Sequence, residues 1–190
     1  MDIINKITVE DFKAYFPREF QYLKVWDAET TYNKNVIVYY NNLFYQSLID
    51  GNINNIPSDA VDDWKHIEDD YNNYINDDDI SKAMGQAKGM FNVNLFKGHD
   101  ELLKICYLLL VAHYLVQDLN MSKGNGASSF IMTSKSVDGV SASYGIPQKI
   151  LDNPLYSYLT GTSFGLKYLQ YVLPRLIGYS VAVYRRTNDF

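Results

Sequence analysis

The hydrophobic pattern along this chain changes period several times. Near the start, "ITVEDFKAYFP" places Thr8 three residues before Asp11, a side-chain oxygen for orphan amides and then an acid in the first turn. A short helix over residues 9–15 is predicted, stopped ahead of Pro17 because the residue before a proline avoids helical backbone. Further on, Asp78 or Asp79 can cap a helix with Ile80, Ala83, Met84, Ala87, Phe91 and Leu95 on one face. Gly98 and Asp100 separate it from "ELLKICYLLLVAHYLVQDL", a predicted helix over residues 100–119 that is apolar nearly all round. Such a helix belongs in the middle of a bundle or at a subunit interface. Its longest uninterrupted apolar run is the eight residues 105–112, too short to span a bilayer.

Two segments have the shorter period of strands. In "NVIVYYNNLFYQSLI", β-branched and aromatic residues flank Asn41-Asn42, and asparagine tolerates left-handed backbone, so a hairpin is predicted. In "FIMTSKSVDGVSASYG", alternation flanks Asp138-Gly139, a strong hairpin signal with arms over residues 130–137 and 140–144. The acidic "EDDYNNYINDDD" reads as a connector and "NMSKGNGASS" as a flexible one. A last helix over residues 163–173, capped by Thr162, gathers Leu166, Leu169, Val172 and Leu173, with Pro174 as its end. Beyond it "YSVAVYRR" alternates again and predicts a strand or extended tail. The expected fold class is α+β: a small helical bundle with a β-hairpin and an extended C-terminal tail, plus a small three-stranded β insertion.

Composition adds a packed core, with 47% hydrophobic and 15% aromatic residues. One cysteine, Cys106, excludes an internal disulfide. The opening "MDIINKITVEDFKAYF" lacks the basic start and apolar run of a secretory signal, so none is expected. The net charge of −5 is unevenly spread. Residues 1–120 hold ten Lys and Arg against nineteen Asp and Glu, and residues 121–190 hold seven against three. That polarity suits different partners at the two ends, or reflects a biased solvated surface.

Recognisable chemistry is sparse. His66, His99 and His113 are far apart, and His113 in its apolar helix reads as a core or interface residue rather than a ligand. The run Asp77-Asp78-Asp79 lacks the glycine and terminal glutamate of a calcium loop and reads as helix capping. "SKGNGASS" has the wrong order for a phosphate loop, and the serines near Tyr144 form no nucleophile elbow. No enzymatic activity, metal or cofactor is expected.

Taken together, "ITVEDFKAYFP", "DISKAMGQAKGMFNVNLF", "LLLVAHYLVQDL", "SKSVDGVSASYG" and "SFGLKYLQYVLPRLIG" resemble, in that order, the head–tail connector (head-completion adaptor) proteins of tailed bacteriophages. The resemblance implies a largely helical subunit of a homo-oligomeric, dodecameric ring in the virion neck, made in the host cytoplasm. That ring would sit under the portal protein and meet a tail or stopper protein, with genomic DNA passing through and no membrane involved. It makes Val181, Val183, Tyr184, Arg185, Arg186 and Phe190 candidates for portal docking. The hairpin residues Ser136, Val137, Asp138, Gly139 and Val140 are candidates for a subunit interface through free main-chain edges.

A second resemblance covers residues 24–68, leaving 1–23 and 69–190 as the connector core. Trp26, Tyr32, Val38, Tyr40, Tyr45, Pro57 and Trp64 are similar in pattern to small chitin-binding-type carbohydrate modules. Asn35 and Asn42 replace the usual turn glycines, and Leu48, Ile49 and Asp50 stand where those modules place the tryptophans of their sugar platform. Trp26, Tyr32, Tyr45 and Trp64 are therefore expected to form the module's core, since so small a unit needs bulky aromatics to hold together. Tyr39 and Tyr40 are left as candidates for an exposed aromatic face. The expected function is a ring-forming head–tail adaptor; the alternative is a glycan-binding virion decoration protein that uses the inserted module.

Overall fold

The computed structural model describes residues 3–122, 134–137, 140–143 and 152–187, which form an α+β protein. The chain divides into two compact units, Phe16–Asn76 and the remainder, Met1–Tyr15 with Asp77–Phe190.

The larger unit is helical. After a 3₁₀ turn at Ile3–Lys6 come α1 (Val9–Tyr15), α2 (Asp77–Met90), a 3₁₀ turn at Val93–Phe96, α3 (Asp100–Ser122), α4 (Pro154–Leu159) and α5 (Ser163–Thr187). The capping signal at Thr8 is realised reciprocally. The Thr8 amide donates to Asp11 Oδ2 at 2.9 Å and the Asp11 amide donates to Thr8 Oγ1 at 3.2 Å. α3 is the centre: Cys106, Leu108, Val111, Ala112 and His113 are fully buried, and α2 and α5 both pack on it. Polar contacts fix these packings. Tyr107 donates to the Met84 carbonyl at 2.8 Å, Lys82 pairs with Asp118 at 2.8 Å, and Lys104 reaches Asp11 at 2.6 Å. α3 is long and apolar enough to cross a membrane, yet most of its apolar stretch is buried inside this unit, as befits a core helix.

β4 (Ser134–Val137) and β5 (Val140–Ser143) pair antiparallel, with Ser136 opposite Ser141 and Val137 opposite Val140. Of the expected arms, residues 130–133 and 144 lie outside the described residues. Asp138 and Gly139, the expected turn, lie outside the described residues.

The smaller unit is a three-stranded antiparallel sheet, β1 (Ile37–Tyr40), β2 (Leu43–Ser47) and β3 (Trp64–Ile67), in that order. Asn41 and Asn42 join β1 to β2 with φ of 48° and 64°, the left-handed pair that a tight hairpin requires. Tyr32, Val38, Tyr45 and Trp64 form its buried core, with Trp26, Val36, Tyr40 and Ala60 packed against them. The polar ends of the rings are used too: Tyr32 Oη accepts from the Asp27 amide at 2.7 Å, and Trp64 Nε1 donates to the Asn55 carbonyl at 2.9 Å.

The unit is wider than residues 24–68. The Leu23 amide donates to Ile75 O at 2.8 Å and the Ile75 amide to Gln21 O at 2.9 Å, so the incoming and outgoing chains pair before they part. Phe44 stacks on Tyr74 at 4.9 Å, which brings part of the acidic "connector" into the module's packing.

The C-terminal segment departs most from expectation. Pro174 does not end the last helix, and the predicted extended tail is helical through Thr187. An interior proline forfeits one hydrogen bond and crowds the preceding turn, but a helix already built on both sides can carry it. Arg175 Nη1 donates to the Tyr171 carbonyl at 2.9 Å in the same stretch of helix. Alternation in "YSVAVYRR" is too short a signal to outweigh propagation of a helix already three turns long.

Candidate interaction surfaces

Trp26, Tyr32, Tyr45 and Trp64 are brought together as the module's core residues. Tyr32 meets Trp64 edge-on at 5.5 Å and Trp26 meets Tyr40 edge-on at 5.2 Å. Trp26 is only partly buried, and its Nε1 has no hydrogen-bond partner among the described residues. The rings that resemble a sugar-binding pattern are thus committed to holding three short strands together. At the platform positions, Asp50 Oδ1 accepts from the Lys34 amide at 2.9 Å and fixes a turn, while Ile49 offers only an aliphatic face.

Tyr39 and Tyr40 do not form one shared face. Successive residues of a strand point to opposite sides of the sheet. Tyr40 leans on Trp26, whereas Tyr39 lies 5.0 Å from Phe44 and 5.2 Å from Tyr71 and donates to Asn42 Oδ1 at 3.2 Å. Both are half-buried.

Tyr39 instead borders a groove of about 280 Å³ with Asn42, Phe44, His66, Glu68, Asp69 and Tyr71. The hairpin turn sets one wall and the residues just after β3 set the other. Asp69 Oδ2 accepts from Tyr74 Oη at 2.6 Å, a bond that holds its carboxyl below the usual range and keeps it ionised. Burial, reinforced by the same bond, pushes Tyr74 up to about 12. Asp70 caps the 3₁₀ turn Tyr71–Asn73 by accepting from the Asn72 amide at 2.9 Å, and that turn carries the 40% exposed ring of Tyr71. The sequence pattern missed this groove by treating "EDDYNNY" as a connector. The aspartate two residues before Asn72 and the interleaved tyrosines were its available signals.

In the helical unit, His113 sits at a polar junction inside the core. Its Nδ1 lies 2.8 Å from Thr162 Oγ1, which also accepts from the Gly165 amide at 3.0 Å. Tyr158 meets the imidazole edge-on at 4.8 Å, and Nε2 has no partner among the described residues. Burial holds the imidazole down to about 4, so it is neutral at neutral pH. Among the described residues no group of three or more His, Cys, Asp or Glu could hold a metal ion. Burial also pushes the Cys106 thiol up to about 12, away from nucleophilic chemistry.

Of the remaining sequence candidates, Ser136, Val137 and Val140 lie in the paired hairpin arms. Val181, Val183, Tyr184, Arg185 and Arg186 lie in the last turns of α5 rather than on an extended tail, and Phe190 is outside the described residues. No family model, curated protein or solved structure matches the chain.

Proposed function

We propose that the chain is a structural assembly subunit, a ring-forming head–tail adaptor of a tailed bacteriophage with a β module displayed from its helical unit. The resemblance of its sequence stretches, in their order along the chain, stands behind the identity of the assembly. One observation carries the display: the helical unit closes on itself across the excursion. Lys13 of α1 and Asp77 of α2, sixty-four positions apart, form an ion pair, so the helices before and after the module meet directly. The module closes independently through the Leu23–Ile75 pairing. An excursion built this way leaves the helical packing uninterrupted and is free to serve contacts of its own.

In this reading α3 anchors the subunit, the β4–β5 hairpin offers main-chain edges to a neighbour, and the helical C-terminal segment faces the portal or the next copy. The adaptor sits under the portal, meets a tail or stopper protein, and surrounds the path of the genomic DNA. The glycan-binding alternative has less support, because the aromatics of its pattern are used within the module and the platform positions hold no ring. Mixing the purified chain with portal assemblies and counting copies by mass photometry tests the proposal. Multi-copy complexes on the portal are expected; a chain that stays monomeric with the portal present contradicts it.

A further inference from the structure

The groove beside Tyr39 combines three features that suit one class of group. Rings of Tyr39 and Tyr71 supply π faces beside the buried Phe44, Glu68 and Asp69 supply carboxylates, and Asn42 supplies an amide. Aromatic faces next to ionised carboxylates attract a guanidinium, which can stack and pair in one pose. Glu68 has no ion-pair partner among the described residues, and Tyr74 holds Asp69 in place through one oxygen. The unit around the groove is acidic throughout, with ten Asp and Glu against four Lys and Arg over residues 16–76. The basic complement lies in the same chain, where residues 121–190 hold seven Lys and Arg against three acids. Arg175 is already engaged, with its guanidinium 5.5 Å from the Phe96 ring centre and its Nη1 on the Tyr171 carbonyl. Arg185 and Arg186, in the last turn of α5, are the adjacent pair of cations on that segment.

We propose that the groove receives the Arg185-Arg186 segment of a second copy, so that the module of one subunit clasps the C-terminal helix of the next. A contact between two different surfaces of identical copies is heterologous, and repeated contacts of that kind form a ring where the rotation between copies closes. The proposal rests on the ring-forming reading and names the contact that the displayed module makes.

The test uses the full-length, ¹⁵N-labelled chain and a synthetic peptide of its residues 181–190. Saturable amide shifts centred on Tyr39 and residues 66–71 are expected, weakened at least tenfold by Glu68→Gln or by Tyr71→Ala. Both side chains are exposed, so each variant should fold, which its unperturbed remaining spectrum verifies. A peptide with Arg185→Glu and Arg186→Glu should not bind. No saturable shift at the groove, or equal binding of the reversed-charge peptide, overturns the proposal. So does an N-acetylglucosamine oligomer that shifts the same residues where the basic peptide does not, an outcome that assigns the groove to a saccharide. A ring found on the portal with the groove facing solvent would overturn this contact and leave the adaptor reading standing.

Discussion

Gly165 is where a single residue is most tightly specified. A methyl group there would fall 2.0 Å from the Leu159 carbonyl oxygen and 2.8 Å from His113 Nδ1, the first a backbone atom that cannot yield cheaply. Gly165→Ala is therefore expected to destabilise the helical unit by about 3 kcal/mol, at the upper end of overpacking effects, as read by urea denaturation. His113 at the same junction makes stability depend on pH. Its unfolded value is 6.5 and its folded value is about 4, so the unfolded state binds more protons between those limits. Stability from this residue is complete above 6.5 and falls as the pH drops toward 4, by up to about 3 kcal/mol. The rings of Tyr114 and Tyr158 and the Thr162 hydroxyl also face the imidazole, and the tyrosines, whose ordinary value of 10 burial raises further, stay neutral over that range. His113→Leu should flatten the slope of melting temperature against pH between 6.5 and 4. An unchanged slope would place the pH dependence elsewhere.

At the scale of elements, the two hairpins and the last helix show what the pattern conveys and what it omits. Asn41-Asn42 and the Thr8–Asp11 cap were legible because they are local: the residues that make the turn or cap are the ones that signal it. Asn42 sits at φ 64°, a left-handed value glycine adopts without steric cost, so Asn42→Gly, although it removes the exposed Tyr39–Asn42 hydrogen bond, should stabilise the module by about 0.5 kcal/mol in thermal melts. Thr8→Ala should cost about 1 kcal/mol by removing the cap of α1. The path of α5 through Pro174 was not legible, because a proline at a helix end and one at a tolerated interior position look alike in sequence. The groove was invisible for a related reason. Tyr39 and Tyr71 are thirty-two positions apart, and only the pairing of β2 with β3 brings the residues after β3 alongside the hairpin. Of the candidate surfaces, the core rings of the module were expected from the carbohydrate-module pattern they resemble and from the need of so small a unit for bulky aromatics, whereas which ring lay on which face needed the register.

For the whole molecule, the central claim is that many copies assemble as a ring on a portal, each displaying a self-contained β module. The division of the chain into two units bears on that claim, because each holds its own hydrophobic core and the helices meet across the point of insertion. Excision of residues 16–76 with a short Gly-Ser link should therefore leave a folded helical unit, as judged by helical circular dichroism and a cooperative melt. The most direct measurement is electron microscopy of the neck of assembled particles carrying a tagged copy of this chain. The account predicts tag density repeated around the axis directly beneath the portal, at the symmetry of a closed ring. Tag density scattered over the capsid surface, or absent from the neck, would contradict it.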